Sequence, residues 1–169
     1  WWGGQTGFST NMDTIWDPER PDIQPGDWVY GEVEAEGTTY YAEVQLGTIT
    51  GEVNIDTDSI RGTINASWLP QDVDVEVQCH AWGSDGGAPS KQDNVPPNGS
   101  VIYACSWDPD TEWDIQPYQQ VGVSYRDPAG HWVYGVFEGY TDELILSIHY
   151  DHEWIEGRYE PGHTVYLQV

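Results

Sequence analysis

The chain of 169 residues is poor in cations: five Lys plus Arg stand against 29 Asp plus Glu, a net charge of −24. That excludes the electrostatic footprint of a nucleic-acid binder, because too little positive charge is present to displace phosphate counterions. An anionic membrane surface would repel the chain for the same reason. Long apolar runs are also missing. Nothing approaches the roughly 18 consecutive apolar residues of a membrane-spanning helix, so no membrane insertion is expected. No basic region followed by an apolar stretch opens the sequence, and any export signal is expected to lie before Trp1. The chain lacks a G-x-S-x-G elbow, a phosphate-binding loop and a Gly-rich dinucleotide turn. Its histidines, His80, His131, His149, His152 and His163, do not make the paired spacing of a zinc site. With 29 acids, any single pair of carboxylates carries little information about glycoside chemistry. The chain is expected not to be an enzyme and to need no cofactor beyond a candidate calcium ion.

What the sequence does contain is ten Trp and eleven Tyr among 19 Gly and 11 Pro. Aromatic residues favour strands, while Gly and Pro interrupt helices, so the expected fold class is all-β. Short apolar runs separated by turn residues place strands near 59–66, 73–79, 101–107, 120–125, 131–137 and 144–150. Val73, Val75 and Val77 alternate with Asp72, Asp74 and Glu76, the period of a strand with one wet face. The stretches 126–130 (RDPAG) and 35–38 (AEGT) read as hairpin turns, where Pro sets φ and Gly permits positive φ.

The chain also contains a displaced copy of itself. The run WDPERPDIQP at 16–25 returns as WDPDTEWDIQP at 107–117, a step of 91 at Trp16 and 92 at Asp22. Ile60, Arg61 and Gly62 return as Ile155, Glu156 and Gly157 at a step of 95, and 73–77 returns as 165–169 at 92. The tetrapeptide WVYG occurs at both Trp28 and Trp132, but that step of 104 is out of register. A period near 92 residues is the size of an immunoglobulin-like sandwich. The expected organisation is the C-terminal half of one such module at 1–45, a complete module at 46–138 and the N-terminal half of a following module at 139–169. Neither half can bury its apolar face alone. The halves could meet between molecules head to tail, meet within one chain, or belong to a longer tandem array; a polymer or array is the favoured expectation.

The segment 154–169 (WIEGRYEPGHTVYLQV), through Ile155, Gly157, Pro161, Gly162, Val165, Leu167 and Val169, resembles the I-x-G…P-G-x-x-V-x-V opening of bacterial extracellular Ig-like repeats. The earlier copy keeps Ile60, Gly62, Val73, Val75 and Val77 but replaces the Pro-Gly turn with SWLPQD. The resemblance implies a spacer, adhesive or fibre-forming role at the cell surface or outside the cell.

Several residues are candidates for specific roles. Cys79 continues the inward series of Val73, Val75 and Val77, and Cys105 that of Val101, Tyr103 and Trp107, so both thiols should face one core. A bond between them would close a loop of about 26 residues and stabilise by roughly 3 kcal/mol in the chain-entropy model; such a bond implies an oxidising compartment. Asn65 and Asn98 head N-glycosylation triplets. Asp56 and Asp58, echoed by Asp151 and Glu153, are candidates to hold calcium at a module junction, with Asp17, Glu19, Asp108 and Asp110 as a second acidic set; solvated acidic loops explain the same residues. Trp1, Trp2, Trp154, Val165, Leu167 and Val169 are expected to dock subunits to one another. The expected partner is therefore another copy or an adjacent repeat. The alternative is a secreted carbohydrate-binding sandwich whose surface Trp residues stack on polysaccharide, although core Trp and cross-strand pairs account for most of them.

Overall fold

The computed structural model describes residues 19–70, 74–82, 90–95, 100–140, 145–149, 154–158, 162, 164 and 166. Among them the fold is all-β, and every strand pairing is antiparallel. Three strands, β3 (Thr48–Asn54), β4 (Ser59–Asn65) and β7 (Ser100–Ser106), make one sheet in the order β3-β4-β7. Four more, β5 (Val75–Ala81), β6 (Lys91–Val95), β8 (Gln120–Arg126) and β9 (Trp132–Glu138), make a second in the order β6-β5-β8-β9.

The two sheets face each other because each has one apolar side. Val101, Tyr103 and Cys105 of β7 are buried while their neighbours are exposed, and Val75, Val77 and Cys79 of β5 point into the same core. Ile60 and Ile64 of β4 meet Val121, Val123 and Tyr125 of β8 there, and Trp107 and Ile115 close one end. Burying a side chain of this size is worth roughly 1.5–3 kcal/mol, and the core is continuous across both sheets. The Cys79–Cys105 disulfide joins them covalently, β5 to β7. Two strands carry no clear sequence signal. In β3, Gly51 interrupts the alternation of Ile49 and Val53; β6 (KQDNV) is polar and is held at the sheet edge by pairing with β5 and by a 2.8 Å ion pair between Lys91 and Glu112. That lysine, with a hydrogen bond from the Asp108 backbone, holds the Glu112 carboxyl below its ordinary range.

Two hairpins stand outside the sandwich. One pairs β1 (Trp28–Ala35) with β2 (Thr38–Gln45) through a two-residue turn in which Glu36 and Gly37 both have positive φ, the geometry that matches strand twist. The other pairs β10 (Ile145–His149) with β11 (Trp154–Arg158).

Two turns share a hydrogen-bond pattern. At 24–27 the Asp27 N–H donates to Gln24 O at 3.1 Å, Gly26 N–H to Leu46 O at 2.7 Å and Gln24 N–H to Asp27 Oδ2 at 2.8 Å. At 116–119 the Gln119 N–H donates to Gln116 O at 3.1 Å, Tyr118 N–H to Gly139 O at 2.7 Å and Gln116 N–H to Gln119 Oε1 at 3.0 Å. Gly26 and Tyr118, at the same place in the two turns, both have positive φ. Each turn then leads into a hairpin of the same register: Val29 pairs with Val44 and Val33 with Tyr40 in β1–β2, as Val121 pairs with Phe137 and Tyr125 with Val133 in β8–β9. Likewise Leu146 pairs with Gly157 and Ile148 with Ile155 in β10–β11, as Gly51 pairs with Gly62 and Val53 with Ile60 in β3–β4. Trp28 and Trp132 are not equivalent; the first opens its hairpin, and the second lies on the returning strand.

Candidate functional site

These register matches identify which face of each outer hairpin corresponds to a core face of the sandwich. In β8–β9 the face of Val121, Val123, Tyr125 and Val133 is buried. The same face of β1–β2 presents Val29, Val33 and Tyr40, and all three are exposed. Ile23, in the place of Ile115, is 54% exposed where Ile115 is 1%. Only Val44 and Leu46, at the root of the hairpin, pack against the sandwich core. In β3–β4 the inward face carries Ile49, Val53, Ile60 and Ile64; in β10–β11 the matching Ile148 and Ile155 are exposed, as is Leu146. Two apolar half-faces are thus left uncovered among the described residues. The free edges agree with this. Among the described residues, β8 is paired on one side by β9 and on the other by β5, whereas β1 has only β2; β4 has both β3 and β7, whereas β11 has only β10.

The two hairpins leave the sandwich at opposite ends. Gly47, just after β2, lies against Tyr125, Ala66 and the Asn65 carbonyl, and its N–H donates to Tyr125 Oη at 2.8 Å. Gly139, just after β9, lies against Val53 and Ile55 at the other end of β3. Beyond it, Tyr118 Oη donates to Arg158 O at 2.9 Å, and the Arg158 guanidinium sits 5.7 Å from the centre of the Tyr118 ring. A seven-residue strand separates the two roots, about 20 Å at the usual rise.

The outer face of the four-stranded sheet carries a second feature, an aromatic cluster. His80 lies 5.8 Å from Trp82 and 6.5 Å from Tyr134, Trp132 lies 6.3 Å from Tyr134, and the Arg126 guanidinium stacks 5.8 Å from Trp132. Gly122 makes room for it, since a Cβ there would come within 2.6 Å of His80 Nε2. Partial burial pushes the His80 pKa down. Tyr41, the register equivalent of Tyr134, is exposed on the β1–β2 hairpin and stacks on Tyr30 at 6.4 Å. Trp residues are less internal than expected: of those described with their side chains, Trp107 is buried and packs edge-on against Trp113 at 5.0 Å, while Trp28, Trp68 and Trp82 are exposed.

The remaining candidates fall as follows. Asp58 is buried with positive φ; its Oδ1 accepts the Ile115 N–H at 2.6 Å and its backbone carbonyl the Trp107 N–H at 2.9 Å. This carboxylate ties the β3–β4 turn to the segment before β8. Asp56 is exposed, its N–H donating to Asn54 Oδ1. Asp108 Oδ1 accepts the Asp110 N–H, a local turn bond. No group of three or more metal-ligating side chains occurs among the described residues. Asp151, Glu153 and Asp17 lie outside the described residues, as do Asn98, Trp1, Trp2, Val165, Leu167 and Val169. Asn65 ends β4 with an exposed side chain, and Trp154 opens β11. Sequence reasoning missed Val29, Val33, Tyr40, Leu146 and Ile148 as surface features; the signal available was the repeat itself, extended residue by residue. Comparison with protein-family models, with curated proteins and with solved structures finds no match to this chain.

Proposed function

We propose that the protein is a structural subunit or repeat of an extracellular filament or cell-surface array, joined head to tail by completion of Ig-like half-modules. The observation that carries this reading is the pair of uncovered hairpin faces whose registers copy the buried β8–β9 and β3–β4 faces. The strand order supports the Ig-like assignment: β3-β4-β7 opposes β5-β8-β9 as the A-B-E and C-F-G groups of such sandwiches do, with β6 added beside β5. In the joint, β1–β2 supplies the F–G hairpin and β10–β11 the A–B hairpin.

The magnitudes allow it. Val29, Val33, Tyr40, Leu146, Ile148 and Ile155 are all exposed, by 37% for Ile155 to 65% for Ile148, and covering what is left open is worth about half of the roughly 1.5–3 kcal/mol of a full burial for each. Together they are of the size of the roughly 4–15 kcal/mol that association costs, before any backbone pairing is added. The Cys79–Cys105 bond is consistent with an oxidising compartment outside the cytoplasm. Removing residues 1–43, which leaves Val44 and Leu46 on the core, is expected to abolish self-association in sedimentation while the sandwich still unfolds cooperatively. Normal assembly of the shortened protein would refute the reading.

The aromatic cluster favours a second reading, a polysaccharide-binding module. Trp82 and Tyr134 are exposed and adjoin His80 on one sheet face, an arrangement on which sugar rings could stack. Tryptophan fluorescence titrated with a broad panel of polysaccharides tests it; a response lost in Trp82→Ala supports sugar binding, and no response across the panel removes it.

A further inference from the structure

The details of the joint go further than the proposed head-to-tail reading on which they rest. In the complete sandwich the Phe137 ring of β9 lies over Gly51 of β3, so closely that a Cβ at Gly51 would stand 2.7 Å from two of its atoms. The registers place Val44 where Phe137 is and Leu146 where Gly51 is. The outer hairpins have therefore exchanged volume between the two positions: a large residue over none has become a small branched residue over a medium one. Each pair has the same number of side-chain carbons, and a core tolerates exchanges that keep total volume while rejecting either change alone. At the neighbouring position the exchange is not maintained, since Leu46 replaces Gly139; Leu46 packs into the sandwich it adjoins, and Val44 touches that same core while staying part-exposed.

We infer that the occupant of the β1–β2 face is the β10–β11 hairpin of a second copy of this chain, seated with Leu146 beneath Val44. The chain's own β10–β11 cannot take the place, because the two hairpins are rooted at opposite ends of the sandwich, Gly47 beside Asn65 and Gly139 beside Ile55.

The test is a volume-swap cycle read by sedimentation velocity. Val44→Phe alone sets a ring against Leu146, and Leu146→Gly alone leaves a void; each is expected to weaken self-association about tenfold or more. The double variant, V44F with L146G, rebuilds the Phe137–Gly51 pair at the joint and is expected to associate within about threefold of the starting protein. A second measurement does not depend on repacking. Mixing a V44C protein with an L146C protein under mild oxidation should give a covalent dimer and no longer ladder, because each chain carries one half of the link; Y30C mixed with L146C, using the opposite hairpin face, should give none.

Self-association without recovery in the double variant, or with cross-linking through Tyr30→Cys, would overturn the seating while leaving half-module completion intact. A cross-link formed inside single V44C/L146C chains would show that the two ends meet within one molecule and would overturn the second copy as occupant. If the starting protein never self-associates, both the seating and the reading beneath it fall.

Discussion

Replacing Gly62 by alanine is expected to destabilise the sandwich by about 3–5 kcal/mol. The measurement is a fall in the urea midpoint at unchanged slope. Gly62 lies on β4 opposite Gly51 of β3. A methyl group there would stand 2.7 Å from the Thr50 carbonyl carbon and 2.7 Å from the Tyr103 hydroxyl, and would run into the Thr50 carbonyl oxygen. Neither neighbour yields cheaply. One is strand backbone, and the other is a buried phenol whose Oη donates to that same Thr50 oxygen at 2.6 Å. Burial pushes the Tyr103 pKa well up, so its hydroxyl keeps the proton that this bond requires. Displacing it adds the cost of an unsatisfied buried hydroxyl, about 1–3 kcal/mol, to the cost of overpacking. Gly31→Ala is the control, because a Cβ at Gly31 meets nothing within 4 Å; its midpoint should change by no more than about 0.5 kcal/mol. Equal midpoints for the two variants would show that the β3–β4–Tyr103 contact is not the constraint it is taken to be. Gly62 thus has a structural cause, and Gly157 holds the same register position in β11.

Loss of the disulfide is the second large effect. Cys79 on β5 and Cys105 on β7 are buried, and their bond links the two facing sheets across 26 residues of sequence. Closing a loop of that length in the unfolded chain corresponds to about 3–4 kcal/mol in the chain-entropy model, a large part of the roughly 5–15 kcal/mol by which a domain is stable. The variant with both Cys79→Ala and Cys105→Ala is expected to lose about 2–4 kcal/mol. A reductant should lower the midpoint of the parent by a similar amount and leave that variant where it is. A parent whose thiols are demonstrably released, yet whose midpoint stays in place, would contradict this.

Much of the sandwich was legible in the sequence because two of its core strands, β5 and β7, alternate strictly. Val75, Val77 and Cys79 on one strand and Val101, Tyr103 and Cys105 on another are inward at every second position, which is why the facing of the two cysteines could be read without coordinates. Turns were legible where positive φ favours glycine, as at Gly37, although Glu36 beside it adopts positive φ as well. The strands that escaped are those with no apolar rhythm of their own. β3 is broken by Gly51, whose place is taken by the Phe137 ring from the opposing sheet, and β6 is held by backbone pairing and one ion pair. Asp58 escaped for a related reason: among so many acids, only the Ile115 N–H aimed at its carboxylate distinguishes it.

Composition, period and alternation by themselves determined the all-β class, the displaced repeat and the inward series that carry the cysteines, because these depend on short-range patterns that the strand backbone imposes. Only the tertiary structure decided which apolar faces are covered. Val121 and Val29 occupy the same register position, yet one is buried and the other is 43% exposed. Burial belongs to the opposing sheet and not to the residue, and for β1–β2 and β10–β11 no opposing sheet lies among the described residues.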